Sequence, residues 1–211
     1  MDGTESHCFP NPCEESVTVL YKINYAKMPA FLTKDKFKSI VEWAAGVWVA
    51  VASSWVLQYN GETTDTFNPE DLKSVISWEP IDGQGNIMGQ TDGRRGKELF
   101  GVKGQKLYWF KQYVSMDTRL DKDEVWDEPK IKSVMLHEFG HWIRLNDVDD
   151  TGEVMHSKYT GNIDLGPGDK EGIRTVYPSK RPCAKFTATQ VGPCKVRFDA
   201  STSNDPDGTI I

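Results

Sequence analysis

Few folds can accommodate residues 129–143, PKIKSVMLHEFGHWI. Pro129 suits the first turn of a helix, and Ile131, Val134, Met135, Leu136, Phe139, Trp142 and Ile143 follow at helical spacing over a broad face. A helix of this kind is largely buried. Yet His137 and His141, four residues apart, leave it on one face and must both find polar company there. The stretch His137-Glu138-Phe139-Gly140-His141 fits the HExxH pattern, in which two such imidazoles grip one metal ion and the glutamate between them stays free of it. Two surface histidines flanking a solvated carboxylate would read the same way, and the motif alone leaves both readings open.

The rest of the 211 residues supplies a frame for that helix. Residues 17–25, VTVLYKINY, alternate in character and are rich in β-branched and aromatic side chains, which predicts a strand. Thr33 is a good N-cap. After it Phe37, Ile40, Val41, Ala44, Val47, Trp48, Val51 and Trp55 fall on one face of a long amphipathic helix, whose tryptophans are expected in the core. Residues 72–78, 87–91 and 107–115 read as further strands, separated by Gly-rich and Asp-Gly segments at 81–85 and 92–96. An acidic turn at 121–128 leads into the HExxH helix. This order of elements predicts an α+β fold, a sheet with helices packed on it.

Charge and composition remove several classes of function. Lys and Arg number 25 against 31 Asp and Glu, and the net charge of −6 repels both nucleic-acid phosphates and anionic lipid, so no nucleic-acid partner is expected. The longest apolar stretch, residues 47–57, is interrupted by Ser53 and Ser54 and is about half of the roughly 20 residues a bilayer span needs, so no transmembrane segment is expected. Met1 is followed by Asp2, Gly3, Thr4 and Glu5 rather than by a basic and apolar leader, which reads as a signal peptide absent or already removed.

Beyond the motif the chain continues HEFGHWIRLND and then VDDTGEVMH, and here it resembles the metzincin clan of zinc peptidases, whose pattern is HExxHxxGxxH, or a variant ending in Asp, followed by a methionine-containing turn. Asp147 falls at the third-ligand position, six residues after His141. Met155 lies eight residues further on, a separation like that in the matrixins. Residues 165–177, LGPGDKEGIRTVY, look like the matrixin C-terminal helix, with Asp169, Gly172, Ile173 and Tyr177 in place. The resemblance implies a metzincin-like twisted mixed β-sheet with a long backing helix, an active-site helix and a small C-terminal subdomain holding the Met turn and a terminal helix. It divides the chain into an N-terminal Cys-containing arm (1–15), a catalytic domain (16–178, with 147–178 as the C-terminal subdomain) and a remainder (179–211).

It also implies a zinc-dependent endopeptidase acting on extracellular proteins. His137, His141 and Asp147 would hold one catalytic zinc, Glu138 would be the general base, Met155 would floor the site and Asp169 would tie the Met turn to the last helix. A peptide or protein substrate would add a strand along Ile87, Met88, Gly89, Gln90 and Thr91, with His156, Ser157 and Tyr159 on the wall of a side-chain pocket. Three departures stand out. Arg144 occupies the family's glycine position after the second histidine; Asn146 tolerates left-handed backbone better, so the turn can shift there and carry Asp147 with it. Asp147 itself stands where histidine is more usual, a substitution zinc accepts. Residues 117–128 contain no histidine for the family's second, structural zinc; Asp121, Asp123 and Glu124 offer oxygen donors to calcium, or else form a solvated acidic loop.

The four cysteines, Cys8, Cys13, Cys183 and Cys194, form two short-range pairs by position, which suits disulfides and an oxidising compartment, although four cysteines allow three connectivities and could also stay reduced. Residues 185–210 look like the first strands of a PKD-type β-sandwich repeat, with FDASTSNDPDG as the most specific part, and about a third of the roughly 80 to 100 residues such a sandwich needs is present. The whole then reads as a monomer within a longer multidomain chain, secreted or on an extracellular surface. The competing reading is a catalytically inactive, zinc-stabilised adhesion module.

The carboxylate at position 147 generates a prediction. An anionic third ligand leaves the site less positive than three imidazoles do, so water activated there is less acidic. The acidic limb of the pH–rate profile is expected at lower pH in Asp147→His than in the wild type; superimposable limbs would contradict this.

Overall fold

The computed structural model describes residues 17–51, 55–93, 95–103, 106–113, 115–177, 187–192, 195–201 and 203. Cys8, Cys13, Cys183 and Cys194 all lie outside the described residues. In chain order the elements are β1 (Val17–Ile23), α1 (Lys34–Val49), β2 (Trp55–Glu62), β3 (Val75–Glu79), β4 (Gly89–Asp92), β5 (Arg95–Lys103), β6 (Lys106–Tyr113), β7 (Asp117–Asp121), α2 (Glu128–Trp142), α3 (Pro167–Val176), β8 (Thr187–Gly192) and β9 (Lys195–Asp199). Five strands make the main sheet in the order β2-β1-β3-β7-β4, and β5-β6 and β8-β9 form separate two-stranded sheets. Neighbours in the main sheet run parallel except β4, which lies antiparallel on β7 at the edge. The sheet is thus mixed and the fold α+β, as expected.

Side-chain alternation explains which face is covered. In β1, Tyr21 and Ile23 are buried while Thr18, Leu20 and Lys22 are exposed. Ile23 pairs with Ile76 of β3, so Trp78 lies on the same face as Tyr21. Both long helices pack there. Phe37 of α1 meets Trp78 with ring centroids 5.2 Å apart, and Phe139 and Trp142 of α2 meet Tyr21 at 6.2 Å each. The indole Nε1–H of Trp48 donates to the carbonyl of Leu136 at 2.9 Å, tying α1 to the turn of α2 just before His137. As the spacing predicted, Trp48 is core.

The helix starts also follow from sequence. Thr33 caps α1 by accepting from the Lys36 amide, and Asp127 caps α2 by accepting from the Lys130 amide, one residue before Glu128 and two before Pro129. The reading of a helix reaching Trp55 is corrected: α1 stops at Val49, and Trp55 opens β2, a strand with no counterpart in the sequence reading. The run WVLQY is as β-prone as it is amphipathic, and parallel pairing from Val17↔Trp55 to Tyr21↔Tyr59 decides between the two. β7 was also hidden. Its sequence, DTRLD, is polar, yet Asp117, Thr118, Leu120 and Asp121 are buried, because their polar atoms meet hydrogen-bond partners within the sheet and its loops.

The end of α2 decides between two alternatives the sequence left open. The left-handed residue is Arg144 itself, at φ 72°, and not Asn146. Its amide donates to the His141 carbonyl at 2.9 Å and the Leu145 amide donates to the Gly140 carbonyl at 3.0 Å, the pair of bonds that defines a Schellman closure. A side chain in this conformation costs about 1 to 2 kcal/mol. Glycine at 144 is therefore expected to be more stable than alanine at 144 by about 1 kcal/mol, the reverse of their order inside a helix, as read from urea midpoints of the two variants. An alanine variant as stable as the glycine variant would show that the turn bears no strain.

Candidate active site

His137 and His141 project from the last two turns of α2, and each is anchored by a backbone carbonyl. The Nδ1 of His137 lies 2.9 Å from the Val154 carbonyl, and the Nδ1 of His141 lies 2.9 Å from the Leu145 carbonyl. A carbonyl only accepts, so each Nδ1 carries the proton and each Nε2 presents a lone pair. Both Nε2 atoms face one oxygen of Asp147, at 3.3 Å from His137 and 3.5 Å from His141. Ligands about 2.0 to 2.1 Å from a tetrahedral zinc stand roughly 3.3 to 3.4 Å from one another, so these separations fit that ion. The three donors lie within 4.8 Å of one another. Among the described residues they are the one group of three or more such side chains that could share a metal. Asp147 is 52% exposed, which leaves the group open to solvent on that side.

Two elements of the C-terminal subdomain hold these anchors. Val148, next to Asp147, donates its amide to the Met155 carbonyl at 2.8 Å and accepts from the Ser157 amide at 2.9 Å, so the Asp147 segment is clamped to the Met turn. Met155 is buried beneath α2, where a Cβ on Gly140 would stand 2.0 Å from its sulfur. The glycine inside HEFGH makes room for the methionine. Asp169 accepts from the amides of Val154 at 2.7 Å, Met155 at 3.2 Å and Gly166 at 2.9 Å, which ties the Met turn to the start of α3. Glu153 does the reverse, accepting from the Gly168 and Asp169 amides at 2.9 and 2.7 Å. Sequence reading missed Glu153. Its burial at 7% exposure is the signal that identifies it, and a burial pattern cannot be read from an irregular turn.

Glu138 lies on the side of α2 that faces the sheet edge and is only 4% exposed. Its Oε2 accepts from the Thr91 hydroxyl at 2.6 Å. Its other oxygen occupies space that a side chain on Gly89 would fill, since a Cβ there would stand 2.5 Å from Oε1. Burial pushes the Glu138 carboxyl well above the usual carboxylate range; His141 and the Thr91 hydroxyl act against that shift, and Asp147 adds to it.

The remaining sequence candidates divide. Gly89, Gln90 and Thr91 lie in the edge strand β4, while Ile87 and Met88 precede it; Ile87 is exposed and Met88 packs on the core. Gln90 accepts from the Arg119 guanidinium at 3.0 and 2.6 Å. His156 does not join the metal group: its Nδ1 lies 2.9 Å from the Lys158 carbonyl and 3.1 Å from the Lys158 amide nitrogen. Ser157 and Tyr159 are exposed beside it. In the acidic loop Asp121 accepts from the amides of Asp82, Gly83 and Asp123, Glu124 accepts from the Gly85 amide, and Asp123 pairs with Lys122. The three carboxylates considered for calcium thus have partners in the loop and in the neighbouring segment 82–85.

Comparison with known proteins agrees with this geometry. The matrixin family model matches residues 14–178, more than half of the chain. Interstitial collagenase of Equus caballus is 30% identical over 136 residues, covering 58% of this chain and 29% of the relative. Metalloendoproteinase 1 of Glycine max is 26% identical over 169 residues, covering 74% and 50%. Neutrophil collagenase of Homo sapiens is 30% identical over 103 residues, covering 44% and 22%. The chain thus spans between about a fifth and a half of the length of these relatives. With a family match of that extent over the elements that build the site, the chain belongs to the matrixin family of zinc metallopeptidases.

Proposed function

We propose that this chain is an endopeptidase in which His137, His141 and Asp147 hold a catalytic zinc and Glu138 is the general base. One observation carries the reading: the two histidines of a three-donor metal group and a buried, hydrogen-bonded carboxylate stand side by side on one helix, next to the edge strand of the sheet. Zinc bound there supplies Lewis-acid chemistry that polarises a carbonyl and brings water toward ionisation near neutral pH. The chain's own residues perform the proton work. Glu138 takes a proton from the attacking water onto its carboxylate and returns it to the departing amine nitrogen. Its burial raises proton affinity toward the working pH, which suits a group that must both accept and release. A site that kept zinc for stability alone would have no use for that carboxylate, and this favours catalysis over an inactive adhesion module.

The substrate reading follows from the edge. β4 ends the sheet, so an extended peptide can pair its backbone with the outer side of residues 89–92, and the half-buried His156 with the exposed residues 157–160 supports a role as the wall of a side-chain pocket. Extracellular proteins are the substrates in this reading. No helix among the described residues is long and apolar enough to cross a membrane. The antiparallel hairpin β8–β9 is in keeping with reading residues 179–211 as a linker and the opening strands of a PKD-type repeat; a longer secreted chain with the cysteines as disulfides completes this reading from the sequence alone.

Casein is expected to be cleaved, with activity lost on chelation and restored by zinc. Glu138→Ala should lower kcat/KM by roughly 10²- to 10⁴-fold with zinc stoichiometry unchanged; a fully active variant would remove the proposal. Gly89→Ala should also depress kcat, by at least about tenfold, because its Cβ displaces the Glu138 carboxylate. Unaltered kcat in Gly89→Ala would mean that Glu138 works from another position.

A further inference from the structure

We propose that Thr91 is a positioning residue for Glu138, fixed by a one-way hydrogen-bond relay that starts at Trp142 and passes through Thr118. The inference rests on the reading of Glu138 as general base. Three contacts compose the relay. The indole Nε1 of Trp142 lies 2.8 Å from the Thr118 hydroxyl, that hydroxyl lies 2.6 Å from the Thr91 hydroxyl, and Thr91 lies 2.6 Å from Glu138 Oε2. Taken singly, the contact between the two threonines could run either way. An indole N–H can only donate, so Thr118 accepts from Trp142, and because the single Thr91 proton goes to the Glu138 carboxylate, the contact between the threonines is made by the Thr118 proton. Thr91, having accepted, turns its proton to Glu138. Each link therefore points toward the carboxylate, and successive donors in such a chain strengthen one another in a low-dielectric setting.

The fold makes this arrangement rigid. Thr91 and Thr118 are directly opposite each other on β4 and β7, and Trp142 lies one turn beyond Glu138 on the same helix. Thr118 and Trp142 are 0% and 3% exposed, so water does not compete for them. A glutamate has a long side chain with several rotatable bonds, and the absence of a Cβ at Gly89 is what lets its Oε1 lie against β4. The Thr91 hydroxyl is the contact that holds Oε2 to one direction. A purely structural role, satisfying buried polar groups, would ask for the hydroxyls but would not make catalysis depend on them.

The test compares Thr91→Val, which keeps the shape and removes the donor, with Thr91→Ser, which keeps the donor. Thr91→Val should lower kcat on casein roughly ten- to hundredfold, with KM within twofold and zinc stoichiometry unchanged, and Thr91→Ser should restore kcat to within about threefold of wild type. Equal kcat in the valine and serine variants overturns the proposal. Should Thr91→Val not fold, Thr118→Val applies the same test one link back: a several-fold loss of kcat restored by Thr118→Ser supports the relay, and no loss overturns it. Crystal structures of the zinc-free wild type and Thr91→Val give a readout independent of activity. Glu138 in one conformer in the wild type and in several in the variant supports the relay, and an unmoved Oε2 overturns it. Should the wild type not cleave casein at all, the peptidase reading falls, and the relay stands or falls on those crystal structures alone.

Discussion

Two backbone carbonyls govern this site. Val154 and Leu145 accept the Nδ1 protons of His137 and His141 at 2.9 Å, and that choice of proton turns both Nε2 lone pairs toward Asp147. Neither carbonyl belongs to a regular element, so each has to be held by other means. The Val154 segment is fixed by two crossed carboxylates: Asp169 accepts from the Val154 and Met155 amides of the Met turn, and Glu153 accepts from the Gly168 and Asp169 amides at the start of α3. The Leu145 carbonyl returns over His141 because Arg144 adopts left-handed backbone. Strain at one residue and two buried acids are thus conditions for the metal group rather than independent features.

Packing and chemistry share the same helix. One side of α2 is pressed into the aromatic layer formed by Tyr21, Trp48, Phe139 and Trp142, which fixes its rotation. Once that rotation is set, the histidines face the Met turn and Glu138 faces the sheet edge. Two glycines complete the fit: Gly140 admits Met155 beneath the helix, and Gly89 admits the Glu138 carboxylate beside β4. The antiparallel placement of β4 on otherwise parallel strands brings Thr91 to the carboxylate and, among the described residues, makes β4 the edge of the sheet. Sheet topology therefore reaches the chemistry through a single strand.

The parts legible in the sequence were those written as local pattern. Thr33 and Pro129 announced helix starts through a capping side chain and a first-turn proline, His137 and His141 shared a face through spacing, and Trp48 sat in phase with a core stripe. Asp147, Met155 and Asp169 were reached only through the resemblance, because nothing local joins residues 8 or 22 positions apart. What stayed hidden depended on contacts distant in sequence. Trp55 obeyed a helical period and still joined a strand, because β1 offered it parallel partners. DTRLD looked like a loop and became β7, because its polar atoms are satisfied in the interior. Whether the turn stayed at Arg144 or shifted to Asn146 was open in the sequence, and the Schellman bonds to His141 and Gly140 hold it at Arg144. Glu153 and the Thr118–Thr91 pair carry no sequence signature at all.

The most direct examination is an anomalous-scattering map, recorded at the zinc edge, from crystals grown with zinc. It should contain one strong peak bonded by His137 Nε2, His141 Nε2 and an Asp147 carboxylate oxygen at about 2.0 to 2.2 Å, with Glu138 outside bonding distance. A map with no peak between the imidazoles and with Asp147 turned to solvent would contradict the account.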